Sequence, residues 1–579
     1  MPAESSSPIA DPRTWLAAAA AALPSLLAYN LSPSPTFLNQ ALAFGLWGSF
    51  VMLCAPLWPG RGVLPLLGAL ALLMGATAWS WGPGGLPASL ALSALATLAA
   101  AGVLVAGGAG MRRSHRAADL FGAFCWAWVL AGVLNVGIAL IQVFWPDLAD
   151  GDWIAVSGYP GRAVGNLRQP NHLSSLLLWS CIAVVALVEM RRLAWRWGAA
   201  LTCALVFAVV LTASRTGLVS VGLLALWGLA DRRLSRPVRG LLLAAPLVYA
   251  AAWLGMAQWA ALSQHSFGGT QRLAETDISS SRFGIWANTL ALIKAYPWTG
   301  VGFGEFNFAW TLTPFPGRPV AFFDHTHNLP LQLAVELGLP LAGLVMALLL
   351  WALWRGFRLA WATPGDTGTA QRCAMLMVLM IGLHSLLEYP LWYAYFLLPT
   401  AWAWGFALQG DSAPAPEAPV VERPSALAWA GALLVVGAGL SVVDYMRVAA
   451  IFSAQAGDTP LTERIAQGQR SVFFAHHADY AALTSDLAEP DPQPAIDRAT
   501  HYLLDTRLMM AWARALAAHG QVDSARYIAA RLREFGKSAA EDFFADCPHA
   551  ASAPAPGLPF QCELPQQQPG WRALLPHEP

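Results

Sequence analysis

The sequence predicts an all-α polytopic integral membrane protein with about thirteen transmembrane helices, a large outer loop and a small helical outer tail. Three observations carry this expectation. Of 579 residues, 56% are hydrophobic and only 12% charged, against roughly 25% charged in a soluble domain. Apolar runs of about 18 residues recur along the chain, each long enough to cross a bilayer as a helix. The polar exceptions gather in a few segments. The formal net charge is zero, so no global field points to nucleic acid; the partner this composition demands is a lipid bilayer.

The runs cover 13–30, 38–57, 62–81, 86–108, 117–145, 172–189, 196–212, 214–230, 239–258, 338–355, 373–389, 391–409 and 425–444. The first ten residues lack a basic region, and the run from Trp15 is followed at once by others. That run therefore reads as the first membrane helix and not as a cleavable signal. Basic clusters set the orientation. Arg112, Arg113, His115 and Arg116 follow the fourth run, Arg191, Arg192 and Arg196 the sixth, and Arg232, Arg233, Arg236 and Arg239 the eighth. Arg355, Arg358 and Arg372 flank the loop after the tenth. All four fall on one face, which the positive-inside rule makes cytoplasmic. The N-terminus is then inside and the C-terminus outside.

This orientation defines the organisation. Residues 1–160 are N-terminal membrane helices, and 161–200 hold a polar signature. Residues 200–355 form a core with the outer loop 259–337; 356–445 are further membrane helices, and 446–579 an outer tail. Residues 410–424, rich in Pro, Ala and Glu, read as a flexible linker. In the tail, 498–518 and 523–535 show helical spacing with Ala at packing positions, resembling a tetratricopeptide hairpin. Cys54, Cys125, Cys181, Cys203 and Cys373 lie in or beside apolar runs as small packing residues. Cys547 and Cys562 share the tail, and an outer compartment favours a disulfide between them over two free thiols.

Four polar groups then lie on or near the outer face. The stretch Asp324-His325-Thr326-His327-Asn328 ends the longest polar gap. Two histidines at i and i+2 with Asp324 resemble half a metal site, but no further His or Cys cluster of ligand spacing lies near. A neutral imidazole can instead accept a proton from an attacking hydroxyl, with Asp324 holding its tautomer. Arg215, in Ser214-Arg215-Thr216-Gly217, sits between two runs with almost no room for a loop. It either snorkels from a helix end or points into a polar cavity. Arg282 follows Ser279-Ser280-Ser281 at a helix start, where positive charge adds to the dipole and suits phosphate; a solvated loop arginine is the alternative. The fourth group joins residues 162–172 with Tyr389, Tyr393 and Tyr395, amides and phenols suited to sugars or headgroups, or to an interfacial aromatic belt. Two arginines and a histidine on one face suggest a reaction at a lipid pyrophosphate.

At these residues the sequence resembles the superfamily of O-antigen ligases, O-antigen polymerases and bacterial protein O-oligosaccharyltransferases. Gly165-Asn166-Leu167-Arg168-Gln169-Pro170-Asn171-His172 looks like the signature of protein glycosylation ligases, including the pilin type. Residues 200–350 look like the ligase/polymerase core, and His384 to Trp404 with the tail like the C-terminal block of the protein ligases. His327-Asn328, nine residues, then Gly338 follows the ligase pattern, whereas Leu341 departs from it.

The resemblance implies transfer of an oligosaccharide from undecaprenyl pyrophosphate to Ser or Thr hydroxyls of pilin or another exported protein. The reaction would run at the periplasmic face of a bacterial inner membrane, without cofactor or metal. It makes His327 the first choice for the essential base, with His325 as support or rival. Arg215 and Arg282 match the pyrophosphate-binding arginines. Gln169 and Tyr389, and with them Arg168, Asn171 and His172 of the signature, are carried over as substrate-binding residues. A lipid A-core ligase or polymerase is the nearest rival; the 165–172 block and the long tail argue against it. A transporter would need internal repeats and broken midplane helices, and no convincing repeat is evident.

Overall fold

The apolar runs become helices because a backbone in lipid must satisfy its hydrogen bonds within each segment. A computed structural model describes residues 12–54, 57–274, 278–410, 425–453, 458–485, 492–536, 538–547 and 558–575. The helices are α1 (Pro12–Leu26), α2 (Phe37–Cys54), α3 (Leu64–Trp81), α4 (Ala88–Arg112), α5 (Ala117–Phe144), α6 (Pro170–Glu189), α7 (Trp195–Thr212), α8 (Arg215–Ala230), α9 (Arg236–Ser263), α10 (Gly268–Ala274), α11 (Ile278–Ala295), α12 (Phe306–Leu312), α13 (Leu329–Ala362), α14 (Gly365–Ser385), α15 (Ala394–Leu408), α16 (Ala426–Phe452), α17 (Leu461–Gly468), α18 (Ala475–Thr484), α19 (Gln493–Ala499), α20 (Thr506–Ala518) and α21 (Val522–Glu534). Among the described residues there is no strand, only one β-bridge between Leu31 and Ser34.

Each of the thirteen apolar runs is a helix. Nine described helices are long and apolar enough to cross a membrane, while α8 and α15 are apolar but shorter. The supposed loop 259–337 is largely helical: α9 extends to Ser263, and α10, α11 and α12 fill much of the remainder. Arg372, expected to flank the loop after the tenth run, lies within α14, buried, with Nε 2.9 Å from the buried carboxylate of Asp231. Pairing is what allows that charge to be enclosed. The linker 411–424 lies outside the described residues.

The chain divides into two compact units. Unit 1 comprises residues 1–70, 97–276 and 347–442. Its core is aromatic: Trp402 lies 4.4 Å from Phe124 by ring centroids and packs against Trp47, Phe50 and Phe406. Nearly all of α6 is buried, and its Trp179 donates to the Met377 carbonyl at 3.0 Å. By contrast little of the apolar stretch of α16 is buried, which suits it to lipid.

Unit 2 comprises residues 71–96, 277–346 and 443–579. Its core joins α11 and α12 to the tail through Phe306, Phe308, Trp310, Met509, Trp512, Ile528 and Phe535. Arg318 caps this cluster, its guanidinium over Phe535 and Trp310 and its Nη1 3.4 Å from Glu534. Burial, with Glu534 opposing it, still lowers that guanidinium to about 10. The hairpin α20–α21 forms, but its first helix starts at Thr506 and not at 498, since α19 ends at Ala499 and the chain turns before α20; Cys547 and Cys562 are bonded.

Candidate active site

In unit 1 the polar signature is a strap leading into α6. The strap has no regular structure, so its backbone groups need side-chain partners. Gln142 of α5 supplies some: its Oε1 accepts from Val164 and Gly165 N–H at 2.9 and 2.8 Å, and its Nε2 donates to Ala155 O at 2.6 Å. Asn166, fully buried, accepts from Ala155 N–H at 2.9 Å and donates to Leu26 and Trp153 carbonyls at 2.6 and 2.9 Å. Arg168 holds a left-handed φ of 57°. Its guanidinium donates to carbonyls of Ala28, Pro35 and Asn166. Gln169 then caps α6, accepting the His172 N–H at 2.8 Å, and Pro170 fills the first helical position.

Asn171 and His172 turn into unit 1. Asn171 Nδ2 donates to Glu388 at 3.1 Å, and its Oδ1 accepts from Ser214 at 2.6 Å. His172 is buried, with Nδ1 3.1 Å from the Tyr395 hydroxyl and its ring edge-on to Tyr393 at 4.5 Å. Tyr389 stacks on Tyr393 at 6.1 Å. Ser214 explains how α7 passes to α8 without a loop. Ala213 closes α7 at a left-handed φ of 49°, and Ser214 caps α8 by accepting the Gly217 N–H at 2.9 Å. Arg215 is the first residue of α8 and is exposed, while Ser214 and Thr216 beside it are buried. A positive helix end with a guanidinium in its first turn favours anions.

Unit 2 holds the histidine loop and Arg282. The helix start expected at the serines is α11, which places half-buried Arg282 in its second turn. The loop 323–328 is pinned residue by residue. Asn307 donates to Phe323 O at 2.8 Å, Gln332 accepts Thr326 N–H at 2.8 Å, and Trp286 Nε1 donates to Thr326 O at 2.9 Å. Asn328 accepts the Leu331 N–H at 3.1 Å and so starts α13. Within this frame His327 holds a left-handed φ of 55°, a conformation that costs a residue with a Cβ about 1–3 kcal/mol. Its ring meets Phe323 edge-on at 5.6 Å.

Asp324 lies 3.1 Å from His325 Nδ1. Burial pushes its carboxyl up, but the charge and hydrogen bond of His325 and the charge of His327 outweigh this, leaving it below its ordinary value. It is therefore an anion at neutral pH, able to orient an imidazole. Glu336, buried two turns on, accepts from Gln332 at 2.9 Å and from the N–H groups of Gly304 and Phe306.

Gly338 of the sequence pattern breaks α13 at φ 74° and ψ 161°. A Cβ there would lie 2.4 Å from Trp298 O, and one on Gly300 (φ +67°) 2.4 Å from Glu336 O. The two glycines let 297–302 close on 335–339, with Val301 N–H donating to Val335 O at 2.8 Å and Leu339 N–H to Pro297 O at 2.7 Å.

Arg215, Gln169, Arg168, Asn171, His172 and Tyr389 thus belong to unit 1, and His325, His327 and Arg282 to unit 2. Sequence reasoning missed Gln142, Asn307, Gln332 and Glu336. The i, i+4 pair Gln332/Glu336 in an apolar helix was a readable signal; Gln142 and Asn307 act across long separations and left none. Among the described residues no group of three or more His, Cys, Asp or Glu could hold a metal ion.

Comparison with known proteins agrees with the class these features define. Residues 198–348 match the O-antigen ligase family, 163–188 the protein glycosylation ligase family, and 373–544 the C-terminal region of virulence factor membrane-bound polymerases. These matches each cover part of the chain and make it similar to the O-antigen ligase family of multi-pass membrane enzymes, with a protein glycosylation ligase segment. It is similar to the general O-oligosaccharyltransferase of Acinetobacter baylyi, 29% identical over 255 residues, 43% of this chain and 44% of the relative. It is also similar to the ComP-specific O-oligosaccharyltransferase of the same organism, 28% identical over 287 residues, 48% of this chain and 50% of the relative. The chain thus matches about half the length of these curated relatives.

Proposed function

We propose that this protein is a protein O-oligosaccharyltransferase of a bacterial inner membrane, with its active face in the periplasm. It moves a glycan en bloc from undecaprenyl pyrophosphate to Ser or Thr hydroxyls of pilin or another exported protein. The acceptor oxygen attacks the anomeric carbon, the bond from that carbon to the pyrophosphate oxygen breaks, and undecaprenyl pyrophosphate leaves. His327 takes the hydroxyl proton, and Asp324 with His325 sets the charge around it. Arg215 and Arg282 bind the pyrophosphate, supplying the positive charge that a metal gives many phosphate enzymes. Gln169, Asn171, His172 and Tyr389 line the acceptor or glycan side, and Arg168 shapes the strap that presents them.

The observation that carries the reading is the left-handed His327 in a loop fixed by Asn307, Trp286 and Gln332. Strain of this kind, held by its surroundings, is typical of reacting groups. The O-antigen ligase and polymerase matches sustain a second reading, transfer to lipid A-core or to a growing O-antigen.

One experiment separates them. The protein is co-expressed with a lipid-linked glycan and a candidate pilin in cells lacking their own ligase. Modified pilin with wild type and none with His327→Ala is the expected result. Glycan found only on lipid A-core shifts the assignment to the rival. Full activity in Arg215→Ala and Arg282→Ala removes the pyrophosphate role.

A further inference from the structure

The tail has no part in the chemistry proposed above, yet two buried polar links tie it to α12, whose Asn307 holds the histidine loop. Asn307 of α12 is buried and uses both ends of its amide. Nδ2 donates to the carbonyl of Phe323, the residue before Asp324, at 2.8 Å. Oδ1 accepts the backbone N–H of Leu504, in the tail, at 2.9 Å. Two residues earlier, both carboxylate oxygens of Glu305 lie 2.7 and 2.8 Å from His501 Nδ1, and that ring stacks on Phe308 at 5.3 Å.

The tail segment is itself anchored. Asp505 caps α20 by accepting the Leu508 N–H at 2.9 Å and receives the Tyr480 hydroxyl at 2.7 Å. Between the two links, the Tyr502 ring packs on His476 and His477 at 4.4 and 4.7 Å. A buried amide with both ends committed transmits position, because displacing either partner strands a donor or an acceptor.

We infer that the tail segment 500–505 is a working part of the catalytic unit, holding the 323–328 loop through Asn307, which acts as a positioning residue for His327. The inference rests on the transferase reading for its kinetic consequence, but the coupling itself does not. A reacting group displaced by about 1 Å can lose on the order of 100-fold in rate, so small errors in this frame suffice.

The test uses the full chain in lipid nanodiscs and two readouts: hydrogen exchange over peptides covering 319–332, and glycan transfer. Asn307→Asp keeps the acceptor for Leu504 but faces Phe323 O with an oxygen. His501→Asn breaks the Glu305 link from the tail side, with no change inside the loop. Asp523→Asn, at the far end of the tail where Asp523 accepts Gln566 and Gln567 N–H, is the control.

Faster exchange confined to 323–328 is expected in both Asn307→Asp and His501→Asn, with kcat down on the order of 10- to 100-fold and KM for the lipid donor little changed. The control should match wild type. Unchanged loop exchange in both variants overturns the inference. So does exchange that rises equally across the unit, which marks general loosening, or a freed loop with unchanged kcat. A wild type that transfers no glycan sinks the transferase reading, and the exchange data still decide the coupling.

Discussion

Arg168 and His327 adopt the same left-handed backbone, at φ 57° and 55°, for opposite ends. Arg168 spends its guanidinium on the carbonyls of Ala28, Pro35 and Asn166, inside a strap whose other polar groups are met by Gln142 and Asn166. At His327 the backbone around the residue is what is held, by Asn307, Trp286 and Gln332, while the imidazole stays partly exposed beside Asp324 and His325. The guanidinium of Arg168 is committed to backbone carbonyls, whereas the imidazole of His327 is, on the proposed reading, a presented reagent. In the segment with the most recognisable sequence, the side chains of Asn166 and Arg168 are thus committed to internal hydrogen bonds.

Substitution by glycine, which adopts this conformation without strain, separates the two roles most sharply. His327→Gly should lower glycan transfer by roughly 10²- to 10⁴-fold, the usual contribution of a positioned base. Its stability should stay within about 1 kcal/mol of wild type, since relieved strain offsets the greater freedom of the unfolded chain. A large fall in melting temperature with His327→Gly would erase the contrast.

Asn166→Leu should behave in the opposite way. It strands Ala155 N–H and the carbonyls of Leu26 and Trp153 in a buried place, at a cost of about 3 kcal/mol. Transfer per folded molecule should change little, as transfer measured against folded protein would reveal. Arg168→Gly is milder: its lost contacts are partly exposed and strain is relieved, so a loss of about 1 kcal/mol is expected. Transfer lost without loss of stability in Arg168→Gly would move that arginine to the substrate side.

The sequence made the helices legible because a membrane span writes itself as an uninterrupted apolar run. All thirteen runs fold as helices, and the errors lie where polarity misleads. The burial of Arg372 went unread because its partner Asp231 is distant in sequence. Helices α10 and α12 have seven residues each, too short for a period to show. The site was legible in part for the same reason. The spacing from His327 to Gly338 reflects a local need, a residue able to take φ 74° where α13 must break against Trp298. Asn307 and Gln142 act across the fold, and nothing near them in the chain reports it.

The smallest expected effect separates the two regions by pH. Burial lowers the His501 imidazole, but the charge and hydrogen bond of Glu305, with help from Asp497, outweigh it and hold it above its ordinary value. A histidine raised in this way contributes stability that is complete below its unfolded value of about 6.5. That contribution is lost as pH rises through the folded value. Asp324, held low, acts in the other direction, losing its contribution only as pH falls through its depressed folded value, below about 3.9. Protection against exchange over residues 305–323 should therefore weaken as pH rises past about 6.5, and His501→Gln should flatten that slope. The deficit of Asn166→Leu should be the same at every pH in this range, because no titrating group takes part in its hydrogen bonds. An identical slope in wild type and His501→Gln would mean that the pair does not hold the loop side of the molecule, leaving Asn307 alone to couple it to the tail.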